Sequence, residues 1–460
     1  MSAAETSVVS TSATATLTDL RLRRLDLAAS DSAARIECDR LIRRGAVPDP
    51  AVREAARSSL AAVRAGGDDA VRALNEQVGG GRPDGRLVLD RAELVAARDA
   101  LEPRLRRALD QAIDHVRRFA EPQRPVSSRT LVAPGIDIER RWSPLASVGC
   151  YVPGGSAPYP SSLVMTVVPA QVAGVGRIVV ASPSDRSGDS HPALLGAAGL
   201  LEVDALIVAG GAQAIGALAY GLPGSGIAPV DRIVGPGNAW VTAAKIEVCG
   251  EVGIDLPAGP SEGMVLAAPP ADPRRVAADL ITQAEHGPDS PAILVTTDPA
   301  FADRVEDEVR IRLATAARRS ILVAALAEHG RIALAPTLDV AIDFVNVYGP
   351  EHLSVDLDPL EPTVARLVNA GSLFVGPWAP ESAGDYATGA NHVLPTGGLA
   401  RSSGGLAVEA YGKFVQVQRI DREGLASIRD SIATLAEAEG LLAHRDAVLA
   451  RFDDDPETPR

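Results

Sequence analysis

Three times between Val148 and Val248 a short aliphatic run gives way to a turn and then to a helical stretch. Arg177-Ile-Val-Val-Ala181 leads through a Ser/Pro/Asp turn to a helix from about Pro192. Asp204-Ala-Leu-Ile-Val-Ala209 leads through Gly210-Gly211 to a helix ending at Tyr220. Asp231-Arg-Ile-Val234 leads through Gly235-Pro236-Gly237 to a helix ending at Val248. Strand, glycine turn and helix in repetition predict a parallel sheet covered by helices. The alternation resumes after Ser261, with strands at Gly263–Ala268, Ala292–Thr296, Arg331–Ala335 and Ser372–Val375 and helices at Pro273–His286 and Ala302–Arg318. The reading is therefore α/β, with two parallel-sheet units.

The flanks differ. Asp31 to Phe119 carries apolar residues at three- and four-residue spacing and reads as helix. Phe414–Ile420 alternates like an exposed strand or hairpin arm, and Ser427–Phe452 reads as amphipathic helix. A tail that short cannot bury much core alone and must dock on something. Residues 1 to about 17 are Ser, Thr and Ala without period, and read as a mobile tail. The expected organisation is a tail at 1–20, a discontinuous α/β domain of 21–147 with 262–398, a Rossmann-like domain at 148–261, and a small C-terminal segment at 399–460.

Aromatic residues make up only 3% of the chain, so its cores must be aliphatic. The formal net charge of −14 argues against a nucleic-acid binder working through bulk charge. Cys38, Cys150 and Cys249 form neither a disulfide framework nor a CxxC metal motif, which suits a reduced, cytoplasmic protein. No uninterrupted apolar stretch is long enough to cross a bilayer.

Four of the seven histidines keep unusual company. Gln283 and His286 share the last turn of a helix, where both can reach one cation; spacing alone favours a capping role for His286 and solvation for Gln283. Glu351-His352 after Gly349-Pro350 reads equally as an acid/base pair or an exposed loop. Residues 376–392 show neither helical nor strand period and hold Asp385 and His392; order with function is the better reading of so long a loop. Glu439 and His444 lie on a predicted helix and face one site only if it opens near Gly440. His115, His191 and His329 read as surface or capping residues. Gly210-Gly-Ala-Gln213 and Gly235-Pro-Gly-Asn238 each follow a strand and open a helix, where anions and nucleotides bind in α/β sheets, although neither completes GxGxxG.

From about Leu25 to Arg451 the chain resembles the histidinol dehydrogenases. The resemblance rests on Tyr151-Val-Pro-Gly-Gly-Ser-Ala-Pro-Tyr-Pro-Ser-Ser162, Gly210-Gly-Ala-Gln-Ala-Ile215, Gly235-Pro-Gly-Asn-Ala-Trp240, Pro257-Ala-Gly-Pro-Ser-Glu262 through Gln283-Ala-Glu-His-Gly-Pro-Asp-Ser290, and Glu381-Ser-Ala-Gly-Asp-Tyr-Ala-Thr-Gly-Ala-Asn-His-Val-Leu-Pro-Thr396. It implies a zinc enzyme that uses two NAD to oxidise L-histidinol, through the aldehyde, to L-histidine, in histidine biosynthesis. The implied metal ligands are Gln283, His286, Asp385 and His444, and the implied acid/base pair is Glu351 and His352. Substrate contacts fall on Ser261, His392 and Glu439 as well as on the ligands and His352, and cofactor contacts on Tyr151, Gln213 and Asn238. The implied assembly is a homodimer whose C-terminal segment reaches the partner's site. The alternatives are a related zinc/NAD dehydrogenase of another small alcohol such as a hydroxysulfonate, a thiol-based aldehyde dehydrogenase with Cys150 as nucleophile, and a zinc hydrolase using Glu351.

Overall fold

The computed structural model describes residues 20–29, 32–154 and 158–452. The expected N-terminal tail lies outside these apart from Leu20, as do Gly155, Ser156 and Ala157 of the proline-rich loop. The chain divides into two compact units, Met1–Gln123 with Leu145–Tyr411, and Arg124–Pro144 with Gly412–Arg460. The strands, in chain order, are β1 (Arg23–Asp26), β2 (Val88–Asp90), β3 (Ser128–Ala133), β4 (Ile136–Pro144), β5 (Ser147–Tyr151), β6 (Arg177–Ser182), β7 (Ala205–Val208), β8 (Arg232–Val234), β9 (Gly253–Ile254), β10 (Gly263–Ala267), β11 (Ala292–Thr296), β12 (Arg331–Leu334), β13 (His352–Asp356), β14 (Ser372–Val375) and β15 (Gly412–Ile420).

The larger unit holds two six-stranded sheets. The first runs β2-β7-β6-β5-β8-β9 and is parallel except for β2, which is antiparallel to β7. The second runs β1-β12-β11-β10-β13-β14 and is parallel throughout. Both expected parallel sheets are thus present, and each winds outward from its first long strand, β5 or β10, in one direction and then the other. Helices cover both faces, so every residue of β5, β7, β10 and β11 is buried; β7 and most of β10 and β11 read as aliphatic runs, whereas β5 is Ser-Val-Gly-Cys-Tyr. Of residues 21–147, β1 joins the second sheet. The helix Pro50–Gln77 packs Ala56, Leu60, Val63 and Val71 against Ile215, Leu218, Val241 and Ala244 on the first. The second sheet is packed by Val276, Leu280, Phe301 and Val305 in one cluster and by Ile342, Val345 and Tyr348 in another.

The smaller unit is an antiparallel sheet of order β15-β4-β3 with helices Arg422–Ala438 and Leu442–Leu449. The expected continuous helix over 427–452 is interrupted: Gly440 takes φ +73° and separates the two. Among the described residues no helix is long and apolar enough to cross a membrane.

One buried ion pair fixes the turn after β8. Lys245 and Asp255, 2% and 3% exposed, contact each other. Lys245 Nζ donates to the carbonyls of Gly235 (2.9 Å) and Leu256 (3.0 Å), and Asp255 Oδ2 accepts from the Gly235 N–H at 2.7 Å. Both backbone groups of Gly235 are thereby held. Its φ of +115° and the 2.1 Å that would separate a Cβ from the Tyr151 carbonyl oxygen restrict the position to glycine. Lys245→Met would strand the Asp255 charge and is expected to cost about 3–5 kcal/mol of unfolding free energy. Adding Asp255→Asn, which keeps an acceptor for Gly235, should recover most of it in urea titrations. A double variant no more stable than the single one would refute the assignment.

Candidate active site at the junction of the two sheets

The helix Pro273–Ala284 is started by Asp272, which accepts from the Arg274 N–H, with Pro273 at the first position. Its last turn carries Gln283, 1% exposed, with Nε2 3.4 Å from Ser261 Oγ and Oε1 buried without a hydrogen-bond partner. His286 follows the helix end. Residues 376–392, expected to be irregular, contain a short helix, Glu381–Tyr386, that puts Glu381 and Asp385 on one face at i, i+4. Glu381 Oε1 lies 3.5 Å and Asp385 Oδ2 4.0 Å from His286 Nε2. Among the described residues these three form a group whose ligand atoms lie within 4.8 Å of one another.

The amino end of β13 supplies the next pair. Glu351 Oε2 accepts from Ser261 Oγ (2.8 Å) and from the Glu262 N–H (2.9 Å). His352 opens the strand with Nδ1 3.8 Å from Glu351 Oε2 and 3.7 Å from Glu381 Oε1, and Nε2 3.9 Å from Asp385 Oδ1. Its ring stacks on that of His286, with centroids 6.2 Å apart. His392 is fixed at both nitrogens, Nε2 3.1 Å from Ser162 Oγ and Nδ1 2.9 Å from the Asp385 carbonyl oxygen. Burial holds His352 neutral, its pKa lowered to about 3, and lowers His392 to about 4. Burial also pushes the Glu351 carboxyl well above the usual range, against the pull of its two donors.

Ser162, Ser261, His286, Glu351, His352, Asp385 and His392 line a cavity of about 390 Å³, with Gln283 and Glu381 behind them. Pro236, Gly237 and Asn238, beyond the carboxyl end of β8, form one wall; Ser261, His286, Glu351, His352 and Asp385 form the other. The first sheet thus faces the cavity with strand carboxyl ends, and the second with the amino ends of β10 and β13. Asn238 caps the helix Ala239–Val248, accepting from Trp240 N–H (3.1 Å) and Val241 N–H (3.2 Å).

The sequence model of the histidinol dehydrogenase family matches residues 42–452. A histidinol dehydrogenase of Leifsonia xyli subsp. xyli is 47% identical over 419 residues, 90% of this chain and 96% of that protein. One from Methanothermobacter thermautotrophicus is 43% identical over 399 residues, 86% and 92% of the two chains. The crystal structure of histidinol dehydrogenase from Elizabethkingia anophelis superposes with a TM-score of 0.86 at 34% identity, over 94% of this chain and 98% of that one. The chain belongs to the histidinol dehydrogenase family.

It is accordingly a dehydrogenase, and the resemblance expected from its strings is borne out. Of the residues that a histidinol dehydrogenase is expected to use, the structure gathers Ser261, Gln283, His286, Glu351, His352, Asp385 and His392. Tyr151 and Gln213 do not line the cavity. Tyr151 is 3% exposed and its hydroxyl accepts from the Gly211 N–H at 3.4 Å; Gln213 is 5% exposed and its Nε2 donates to Asn75 Oδ1 at 3.2 Å. Glu439 and His444 lie in the smaller unit, both exposed, on either side of Gly440. Cys150 is fully buried in β5, and burial pushes its thiol up to about 12, which denies it a thiolate nucleophile.

Sequence reasoning did not single out Glu381, although its four-residue spacing from Asp385 was available. It also missed Arg44. The Arg44 guanidinium pairs with Glu262 (2.5 and 2.6 Å) and lies 3.3 Å above the Tyr348 ring. Behind the wall, Asp279 on the helix Pro273–Ala284 is raised to about 6 by burial and by Asp356, with Arg275 and Arg312 opposing. A folded-state pKa above the ordinary 3.8 means that its favourable contribution is complete below that value and is lost as pH rises through about 6. Asp279→Asn should therefore raise stability by roughly 1–2 kcal/mol at pH 8 and progressively less toward pH 4. Denaturant titrations across that range check it; a gain independent of pH would refute it.

Proposed function

We propose that this chain oxidises L-histidinol through L-histidinaldehyde to L-histidine, delivering two hydrides to two NAD, as the last steps of histidine biosynthesis. The observation that supports it most is the cavity wall that carries a neutral imidazole and a doubly hydrogen-bonded carboxyl beside His286 and Asp385, with the unpartnered Gln283 Oε1 directly behind.

The donor set fits zinc. Gln283 Oε1 is buried without a partner, and His286 and Asp385 beside it complete a nitrogen and oxygen environment. In this reading Gln283, His286 and Asp385 hold the ion with His444 of the partner subunit. When bound, zinc supplies a Lewis acid for the imidazole and amine of the substrate. The turn Gly235–Asn238 fits a nucleotide: Pro236, Gly237 and Asn238 line the cavity, and the turn opens a helix at a strand's carboxyl end. When bound, NAD is the hydride acceptor. Residues 148–261 then serve as the cofactor half, with Asn238 as its contact at the cavity and Tyr151 and Gln213, paired with Gly211 and Asn75, supporting it from behind.

The chain's own residues do the proton chemistry. His352, neutral in its buried position, takes the hydroxyl proton as hydride leaves the carbinol carbon. Glu351 in its ionised form, made a stronger base by burial, takes a proton from the water that adds to the aldehyde carbon, and the resulting hydrate gives up the second hydride to become the acid. Ser261 and His392 position the substrate, and the exposed carboxylate of Glu439 pairs with its cationic end from the partner subunit. The protein acts as a cytoplasmic homodimer.

Formation of NADH from histidinol should follow zinc occupancy, stopping when a chelator removes the metal and returning when zinc is restored. His286→Ala should lose metal, whereas His352→Ala should keep metal and lose turnover. A demetallated, folded enzyme at full rate would sink the reading.

Sharing of the site is tested by coexpressing two inactive variants, His286→Ala and His444→Ala. If His444 serves the neighbouring subunit, each mixed dimer regains one intact site, and random pairing restores roughly a quarter of wild-type activity. Activity near zero, with mixed dimers shown to have formed, would mean that the C-terminal segment serves its own chain.

A further inference from the structure

Glu381 is 3% exposed, and its Oε1 is buried with no hydrogen-bond partner. Such an acceptor is costly unless a donor or a cation meets it. Two imidazole nitrogens are near: His286 Nε2 at 3.5 Å and His352 Nδ1 at 3.7 Å. Both ring nitrogens of His352 are themselves buried without partners. The other carboxylate oxygen beside His352 Nδ1, Glu351 Oε2 at 3.8 Å, already accepts from Ser261 Oγ and the Glu262 N–H. If Nδ1 carries the proton, Glu381 is the acceptor left for it.

The surroundings keep the two groups adjacent, so that a small side-chain rotation closes the 3.7 Å gap to hydrogen-bond length. The Phe374 ring lies 6.0 Å from that of His352, centroid to centroid, and the short helix carrying Glu381 closes over Phe374 at Gly384. A Cβ on Gly384 would come within 2.5 Å of the Phe374 ring, so only glycine lets the helix approach so closely. Glu381, Phe374 and His352 thus form one packed group, of which His352 reaches the cavity.

We propose that Glu381 is a positioning residue that accepts the Nδ1–H of His352 and so leaves Nε2 as the free base facing the substrate. A neutral imidazole has one N–H, and the partner of that N–H decides which nitrogen can take a proton. The inference rests on the base role proposed above for His352. It also separates Glu381 from the metal ligands, although Glu381 lies as close to His286 as Asp385 does.

The test compares Glu381→Ala with Glu381→Gln, whose amide oxygen can still accept the N–H, in zinc-loaded enzyme. The first readout is the tautomer of His352, read from ¹⁵N resonances after selective histidine labelling; the chain has only seven histidines, and His352→Asn assigns the signal. The wild type should show Nδ1–H alone. Glu381→Ala should show a tautomer mixture, with kcat lower by about 10- to 100-fold, KM for histidinol little changed and metal content intact. Glu381→Gln should keep the tautomer and most of kcat. If Glu381→Ala does not fold, Glu381→Asp, which withdraws the carboxylate by one methylene, should give the same mixture. Loss of metal with an unchanged tautomer would make Glu381 a ligand and overturn the proposal, as would an unchanged tautomer with full activity. A changed tautomer with undiminished kcat would uphold the hydrogen bond and refute His352 as the base.

Discussion

Carboxyl groups and imidazoles buried together at the amino ends of β10 and β13 are the constraint around which the larger unit is arranged. Glu351 and Glu381 are 6% and 3% exposed, His352 is 3%, and Gln283 is 1%. Groups of this kind are stable inside a protein only when partnered, and a globular core of aliphatic side chains offers them nothing. Some partners are in place, as where Ser261 Oγ and the Glu262 N–H meet Glu351. Others are missing, as at Gln283 Oε1, Glu381 Oε1 and both nitrogens of His352. These unmet groups cluster at and just behind one cavity wall, where a cation and a polar substrate can complete them.

The two sheets contribute to that cavity in opposite senses. The first follows the usual rule for open α/β sheets, offering the crevice beyond the carboxyl ends of β5 and β8, where strand order reverses. The second has the same winding about β10 and β13 yet offers its amino ends. Turns at amino ends carry the residues that precede strands, and the functional groups Ser261-Glu262 and Glu351-His352 stand at just such entries. A strand entry is a rigid place for a base, since His352 is tied into the ladder opposite Gly263 on one side and Ser372 on the other.

The alternation of strand, turn and helix made most of both sheets legible, because buried strands such as β7 and β11 leave aliphatic runs; β5 (Ser-Val-Gly-Cys-Tyr) and β13 (His-Leu-Ser-Val-Asp) are broken by glycine and polar residues and were not legible as strands. The hairpin of β3 and β4 left no such trace: β3 is exposed along nearly its whole length, so neither period appears. β1 escaped notice for the same reason, having only Leu25 buried among its four residues. The short helix Glu381–Tyr386 was hidden by its length, since six residues cannot display an amphipathic repeat. At the site, the residues that resemblance pointed to were legible, and those that act through neighbours were not. Arg44 lies 218 residues from Glu262 in the chain, and only the folded arrangement brings them together.

Arg44–Glu262 and Lys245–Asp255 carry the same physical lesson on the two walls. Each buried pair ties a loop facing the cavity to its own sheet. Lys245 and Asp255 hold Gly235 by its N–H and its carbonyl, ahead of the cavity-lining Pro236–Asn238. Arg44 precedes the cavity-lining residues 45–48 and donates to the carbonyl oxygens of Leu41 and Tyr348 as well as to Glu262, whose own N–H reaches Glu351. Replacing a buried ion pair by well-packed apolar groups often leaves stability unchanged or improves it. The gain from these pairs therefore lies in geometry: charge-assisted hydrogen bonds are short and directional, and they fix backbone groups that aliphatic packing would leave free to shift. Two walls held in this way, from two sheets of opposite polarity, keep a hydride donor and a hydride acceptor in the register that the proposed chemistry requires.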